Sequence, residues 1–299
     1  MKRDEPAKPV RRIVALSDFT PGSQAAVARA MQLAKAHGAR VDLLHAFDVS
    51  ALAALRGVFD VDRLFSDGPA AGLVKQRLSE VAASLAAEHA VEVEACFGVG
   101  EPATVIAAHV KALHPAVVVI GLRANPADPG IGSTLLRVWR RVECPVLVAR
   151  AGQVQPYRTV LSAVDLRDAS RRAALAAATL FPDAKHHLMS ALDLVWEREV
   201  WSASGVRAGI GVGVETLRGA LTDRLQGVAR EMGARAGSAV TTALAEAPAS
   251  RAIVDSARAL GADCVAVGRH GQGLLAERLI GSTALDVLHH TSRDVLVVS

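Results

Sequence analysis

Two short stretches decide the fold: Ile13-Val14-Ala15-Leu16-Ser17-Asp18 near the start of the chain and Val160-Leu161-Ser162-Ala163-Val164-Asp165 past its middle. Each is an apolar, β-forming run that ends in an aspartate, and the two aspartates stand 147 positions apart. The same offset pairs Ile106 with Ile253, Leu113 with Leu260 and Gly121 with Gly268, while the glycine-serine steps Gly132-Ser133 and Gly281-Ser282 follow at 149. One unit therefore occurs twice, and its first copy has lost two residues between the last two markers. A unit of about 150 residues has the size of one ordinary domain. The junction is expected within residues 153–158, which carry Pro156, giving domains 1–152 and 153–299.

Within each copy, β-branched runs alternate with helical periodicity, the pattern of parallel strands joined by crossover helices. Strands are expected at 12–16, 41–46, 91–97, 116–120 and 146–149, and again at 159–164, 187–192, 239–244, 264–267 and 295–298. Val27, Ala30, Met31 and Ala34 fall at i, i+3, i+4 and i+7, with Gly38 to end the helix; Ala174, Ala177, Ala178 and Phe181 repeat the stripe. Strands that are apolar throughout predict a sheet covered on both faces. Stretches 50–72 and 194–213 resemble each other poorly and are read as variable surface loops, the second made flexible by Gly205, Gly209, Gly211 and Gly213. A lid or a partner surface is the other reading of them.

Of the 299 residues 51% are hydrophobic and 21% charged, a balance that folds rather than stays disordered. Aromatics at 3% argue against nucleic-acid binding by base stacking. The net charge of +4 contains no block of like charges and favours anionic ligands only slightly. No apolar run approaches the ~20 residues of a membrane span, and no apolar leader region follows the basic first residues. A soluble cytoplasmic protein is expected, with no membrane or nucleic-acid partner. Cys96, Cys144 and Cys264, odd in number and flanked by apolar residues, are expected as reduced, buried thiols.

The chemistry concentrates in residues 265–283: a β-run to Val267 and Gly268, two residues, Gly271, nine residues, then Gly281-Ser282-Thr283 opening a helix over 284–290. Gly268 at a strand end would let a ligand touch the backbone, and Gly271 would permit a turn with positive φ that aims N–H groups into an anion-binding hollow. A helix N-terminus with free N–H donors and a hydroxyl suits phosphate. Arg269, His270 and Arg278 stand within or beside this loop. Asp165 closes the first strand of the same copy, next to the point where strand order reverses in an open α/β sheet. It is placed to accept hydrogen bonds from a ribose or an adenine amino group, so a nucleotide is the ligand these residues suit; a solvated turn aspartate is the alternative.

This arrangement resembles the universal stress protein family, whose nucleotide-binding members carry Gly-x2-Gly-x9-Gly-Ser/Thr, a pattern that Gly268, Gly271, Gly281 and Ser282 fit without a gap. The similarity runs over nearly the whole chain twice, as in a tandem member. It implies two Rossmann-like α/β domains, each a five-stranded parallel sheet in the order 3-2-1-4-5, ATP bound by the second copy, and a role in stress survival. By position, the resemblance sets Ala163 and Asp165 against adenine and ribose, Val267, Gly268 and Gly271 at the ribose-phosphate region, and Gly281, Ser282 and Thr283 at the terminal phosphates. Asp165 or a loop residue could hold Mg²⁺. It further implies that the last strands, 146–149 and 295–298, associate within the chain as a pseudo-dimer; a homodimer and an unidentified protein partner are compatible with it.

The first copy departs from the pattern. Ala124 replaces the second glycine, only seven residues separate it from Gly132-Ser133, and Pro126 and Pro129 stiffen the remainder. A Cβ opposes a left-handed backbone by about 1–2 kcal/mol, so this site is expected to be vestigial, with room at most for a small anion on Gly132-Ser133-Thr134.

Other signals are set aside. Gly98-Val99-Gly100-Glu101-Pro102-Ala103 matches a dinucleotide fingerprint formally, but it follows a third strand and contains Pro102, so it is read as a turn into a helix. The sequence has no GxxxxGK[ST], HExxH, GxSxG or CxxC. His186-His187 and His289-His290 are sequence neighbours whose side chains diverge, and they and His45 are assigned no metal. Trp139, Trp196 and Trp201 are read as packing residues or loop anchors. With a phosphate cradle but no evident base, a nucleotide-dependent regulatory protein is the first reading. A slow ATPase or nucleotidyl-transfer enzyme, and an interaction module that binds no nucleotide, are the alternatives.

Overall fold

A computed structural model of the chain describes residues 9–49, 68–122, 132–152, 154–165, 167–192, 210–269 and 281–299. The chain divides into two compact units, Met1–Pro156 and Tyr157–Ser299. In the first, the described elements are β1 (Arg12–Leu16), α1 (Pro21–His37), β2 (Arg40–Phe47), α2 (Pro69–His89), β3 (Val93–Val99), α3 (Pro102–Leu113), β4 (Val117–Gly121), α4 (Ser133–Arg141) and β5 (Val146–Ala149). The second holds β6 (Thr159–Ala163), α5 (Asp168–Leu180), β7 (Lys185–Ala191), α6 (Ile210–Ala236), β8 (Thr241–Ala245), α7 (Ala249–Ala259), β9 (Cys264–Gly268), α8 (Ser282–His290) and β10 (Asp294–Val298).

The strands of the first unit lie in the order β3-β2-β1-β4-β5 and those of the second in the order β8-β7-β6-β9-β10, so both follow 3-2-1-4-5. All of these pairings are parallel. Consecutive residues of β4, β5, β9 and β10 are buried, which requires cover on both faces of the sheet. In the first unit α1 packs with α2, and α3 with α4. Strands β3 and β8 are the most exposed.

Local chemistry fixes several boundaries. Gly38 ends α1 at φ +60, a left-handed conformation that costs glycine little. Glu101 caps α3, its carboxylate accepting from the Thr104 N–H at 3.0 Å, and Pro102 takes the first helical position. The formal dinucleotide fingerprint is therefore a turn into a helix. Burial alone would raise the Glu101 pKa, but hydrogen bonds from Thr104 and Arg141 and the Arg141 charge outweigh it and hold the carboxyl at about 2. A carboxyl depressed on folding stabilises above its unfolded pKa, and that contribution disappears as pH falls from about 4 through about 2. Replacing it by Gln is expected to cost about 1 kcal/mol at neutral pH and to flatten the acid limb of a stability-against-pH curve measured by urea titration.

Two sequence expectations need correction. Gly211 and Gly213 lie in α6 rather than in a loop, and α6 is held by Leu225, Val228, Ala229 and Met232, an i, i+3, i+4, i+7 stripe packed on Ala174, Ala178 and Leu188. Residues 50–67 and 193–209, with Trp196 and Trp201, lie outside the described residues. Of the three free cysteines only Cys264 is buried; Cys96 and Cys144 are partly exposed. Burial, and then the charges of Asp42 and Glu94, push the Cys96 thiol up to about 12 against Arg40. Burial pushes Cys144 to about 12 as well. Trp139 is buried, as packing requires.

Candidate functional site

Because β6, β7 and β9 are parallel, their C-terminal ends open on the same edge of the second unit, and a crevice open in part to solvent lies there. Ala163, Val164, Met189 and Ile253 give it an apolar wall. Asp165, Gly268, Gly281 and Thr283 line it too, as does Val267. Ser282 is the first residue of α8 but is not among the lining residues. Gly271, His270 and Arg278 fall outside the described residues, so the structure brings together Ala163, Asp165, Val267, Gly268, Gly281 and Thr283 of the eight site residues expected from sequence.

Helix α8 starts on Gly281, in extended conformation (φ −61, ψ 140), with no side-chain cap and no acidic residue in its first turn. The first N–H groups of such a helix have no partner within it and carry the positive end of its dipole. The Gly281 N–H donates to the Arg269 carbonyl at 2.8 Å, and the Arg269 N–H to the Val298 carbonyl at 2.7 Å. Arg269 and Gly281 are thereby held beside each other and to β10.

Gly268 does something the sequence reading did not anticipate. A Cβ there would stand 2.8 Å from the Ser170 nitrogen and 3.0 Å from the Ala169 carbonyl carbon, so the missing side chain makes room for the start of α5. Gly121 stands likewise against α1, where a Cβ would lie 1.9 Å from the Gly22 oxygen. The glycine that ends the fourth strand of each unit is thus a helix-packing glycine, whatever else lies against it.

Asp165 follows β6 by two residues, and its Oδ1 accepts from the Arg167 N–H at 3.1 Å and from the Ser170 hydroxyl at 2.5 Å. The Ser170 oxygen in turn accepts from the Asp165 N–H at 3.1 Å. Asp18 is held in the same way in the first unit, accepting from the Thr20 N–H at 3.1 Å while Ser23 accepts from the Asp18 N–H at 3.3 Å. Ser170 is a site residue the sequence reading missed. Its signal was present, since an aspartate followed five residues later by serine recurs at Asp18-Ser23 and Asp165-Ser170.

His186 and His187, neighbours on β7, find separate partners. His186 is buried, its Nε2 3.0 Å from the Phe181 carbonyl oxygen, and burial lowers its pKa. His187 instead meets the Thr241 hydroxyl at 2.5 Å, and His45 Nδ1 lies 2.7 Å from the Ser17 carbonyl oxygen.

The fold and crevice together define a duplicated, doubly wound α/β protein with an opening at the topological switch point of its second unit. The family model of the universal stress proteins matches residues 9–150 and, a second time, residues 156–299. The chain belongs to the universal stress protein family, as a tandem member. Its fold is similar to that of a universal stress protein from Archaeoglobus fulgidus DSM 4304, with 16% identity, a TM-score of 0.69, and coverage of 97% of this chain and 98% of that one. A protein of unknown function from Pseudomonas aeruginosa PAO1 is 21% identical with a TM-score of 0.57, over 97% of this chain and 92% of its own. At these identities the likeness is one of fold. Among curated proteins no sequence matches significantly. None of the described helices is long and apolar enough to cross a membrane.

Proposed function

We propose that the second unit binds ATP in this crevice and that occupancy of the site, rather than turnover, is its output, setting a conformation or a partner interaction in stress survival. The observation that carries the reading is that an apolar wall and an uncapped helix N-terminus meet in a single opening. A nucleotide has the matching polarity, an apolar base at one end and phosphates at the other. Ala163 and Asp165 take the adenine and ribose, Val267, Gly268 and Gly271 the ribose-phosphate region, and Gly281, Ser282 and Thr283 the terminal phosphates. ATP supplies a polyphosphate charge to match the positive N-terminal end of α8; Asp165 is the residue that would face an accompanying Mg²⁺.

Regulation is favoured over catalysis because Asp165 is the one carboxylate among the described lining residues, and its Oδ1 is already committed to Ser170 and Arg167. Fast phosphoryl transfer needs a positioned base or water-orienting group beyond a phosphate cradle.

The first unit is proposed to bind no ATP. Its β1–β2 register pairs Leu16 with Leu44 where β6–β7 pairs Ala163 with Met189, so a leucine stands where the second unit has its small floor residue. Isothermal titration of the full chain with ATP tests the reading: one site per chain is expected, and no detectable heat or two equal sites would defeat it. Ala124→Gly alone is expected to leave the stoichiometry at one, because the loop remains two residues short and Leu16 remains in place.

A further inference from the structure

We propose that the first unit holds a zinc-type divalent cation between Asp42, Cys96 and His109. The inference is independent of the nucleotide site. Asp42 lies on β2 two residues before Leu44, and Leu44 is the register partner of Cys96 on β3, so Asp42 and Cys96 share one face of the sheet. Helix α3 packs against both strands and delivers His109 to that face. One carboxylate oxygen, the sulfur and one ring nitrogen all lie within 4.8 Å of one another. Tetrahedral zinc, with bonds of about 2.0–2.3 Å, wants its donors about 3.5 Å apart; side-chain rotation covers the difference.

The second observation is a carboxylate oxygen with nothing to bind. The Asp42 side chain is 0% exposed. Its Oδ2 is 3.2 Å from Arg12 Nη1 and 3.2 Å from His109 Nε2, but its Oδ1 is buried without a hydrogen-bond partner. Buried polar atoms left so are rare and call for an explanation such as an ion. Arg12 neutralises part of the charge through Oδ2 and leaves Oδ1 for a metal. The Cys96 sulfur makes only a long 3.9 Å contact to the Glu94 carbonyl. His109 and Cys96 are partly exposed, so an ion has a way in and a fourth position for water.

A nitrogen, a sulfur and an oxygen donor together select zinc-type ions over Mg²⁺ or Ca²⁺. Forming the metal–sulfur bond releases the thiol proton to solvent, and His109 ligates through the ring nitrogen that carries no proton, its Nε2–H to Asp42 Oδ2 being exchanged for the metal bond only if the proton moves to Nδ1. The duplicated frame offers an internal control. In the second unit the corresponding positions are His187, Ala243 (the partner of Met189) and Ser256, a set that lacks the thiolate and the carboxylate. The fold does not require the donors that the first unit carries.

The test is titration of the full, metal-stripped chain with Zn²⁺ alone by calorimetry, and with Co²⁺ by absorption. One tight Zn²⁺ per chain is expected, with a cobalt-thiolate charge-transfer band. Cys96→Ser and His109→Gln should each weaken Zn²⁺ by about 100-fold or more, and Cys96→Ser should remove the band while Cys144→Ser leaves it. Because Asp42→Asn disturbs a buried ion pair and can fail to fold, the partly exposed Cys96 and His109 carry the decision. Absence of the thiolate band, or unchanged Zn²⁺ affinity in folded Cys96→Ser, overturns the proposal.

Discussion

Replacing Ala163 with leucine is expected to weaken ATP binding by at least about 100-fold while leaving the protein as stable as before. The substitution copies into the second unit what the first already has at Leu16. Ala163 lines the crevice and is only partly buried, so the added carbons enter the ligand's space rather than the sheet core. Overpacking of that kind costs roughly 3 kcal/mol in the complex, about a hundredfold in Kd. In the free protein the new side chain meets solvent and an apolar wall, and a change within about 0.5 kcal/mol is expected. Paired ATP titration and urea unfolding separate the two effects. Lost stability with retained binding would show that the residue faces the core.

Gly121→Ala should have the opposite character, a loss of stability of about 3 kcal/mol or more in the first unit with ATP binding intact. Its Cβ would be built 1.9 Å from the Gly22 oxygen and 2.6 Å from the Gly22 carbonyl carbon, so the backbone at the start of α1 must move. Gly268→Ala meets its nearest atom at 2.8 Å and is expected to cost less, about 1–2 kcal/mol, but to impair binding too because α5 and Asp165 shift with it. A two-transition urea curve, with the ATP-stabilised transition assigned to the second unit, reads these out. Equal effects of the two substitutions would contradict the packing account.

These contrasts show what the sequence made legible. The strand β1 at Arg12–Leu16 and β5 at Val146–Ala149 match the expected ranges to the residue, because a buried parallel strand is an unbroken apolar run bounded by polar residues. The duplication repeats the strand positions in the second copy, and the order 3-2-1-4-5 was legible only through the family resemblance. The start of α6 is not legible in the sequence because Gly211 and Gly213 lower local helix propensity, whereas the later stripe from Leu225 to Met232 packs against α5 and β7. Most of the crevice was readable from Gly268, Gly281 and Asp165, since backbone exposure and helix starts leave local signatures. Its apolar wall of Met189 and Ile253 was not, because a wall residue has no local pattern and acquires its role only through the pairing of β6 with β7 and the packing of α7. The same holds for Asp42, Cys96 and His109, which the β2–β3 register and α3 assemble from separate parts of the chain.

Native mass spectrometry of the full chain equilibrated with ATP is the most direct test of the nucleotide assignment, since it counts ligands per chain. The account predicts a single bound nucleotide in the wild-type protein and none in Ala163→Leu. Two nucleotides per chain, or one that survives Ala163→Leu, would contradict it.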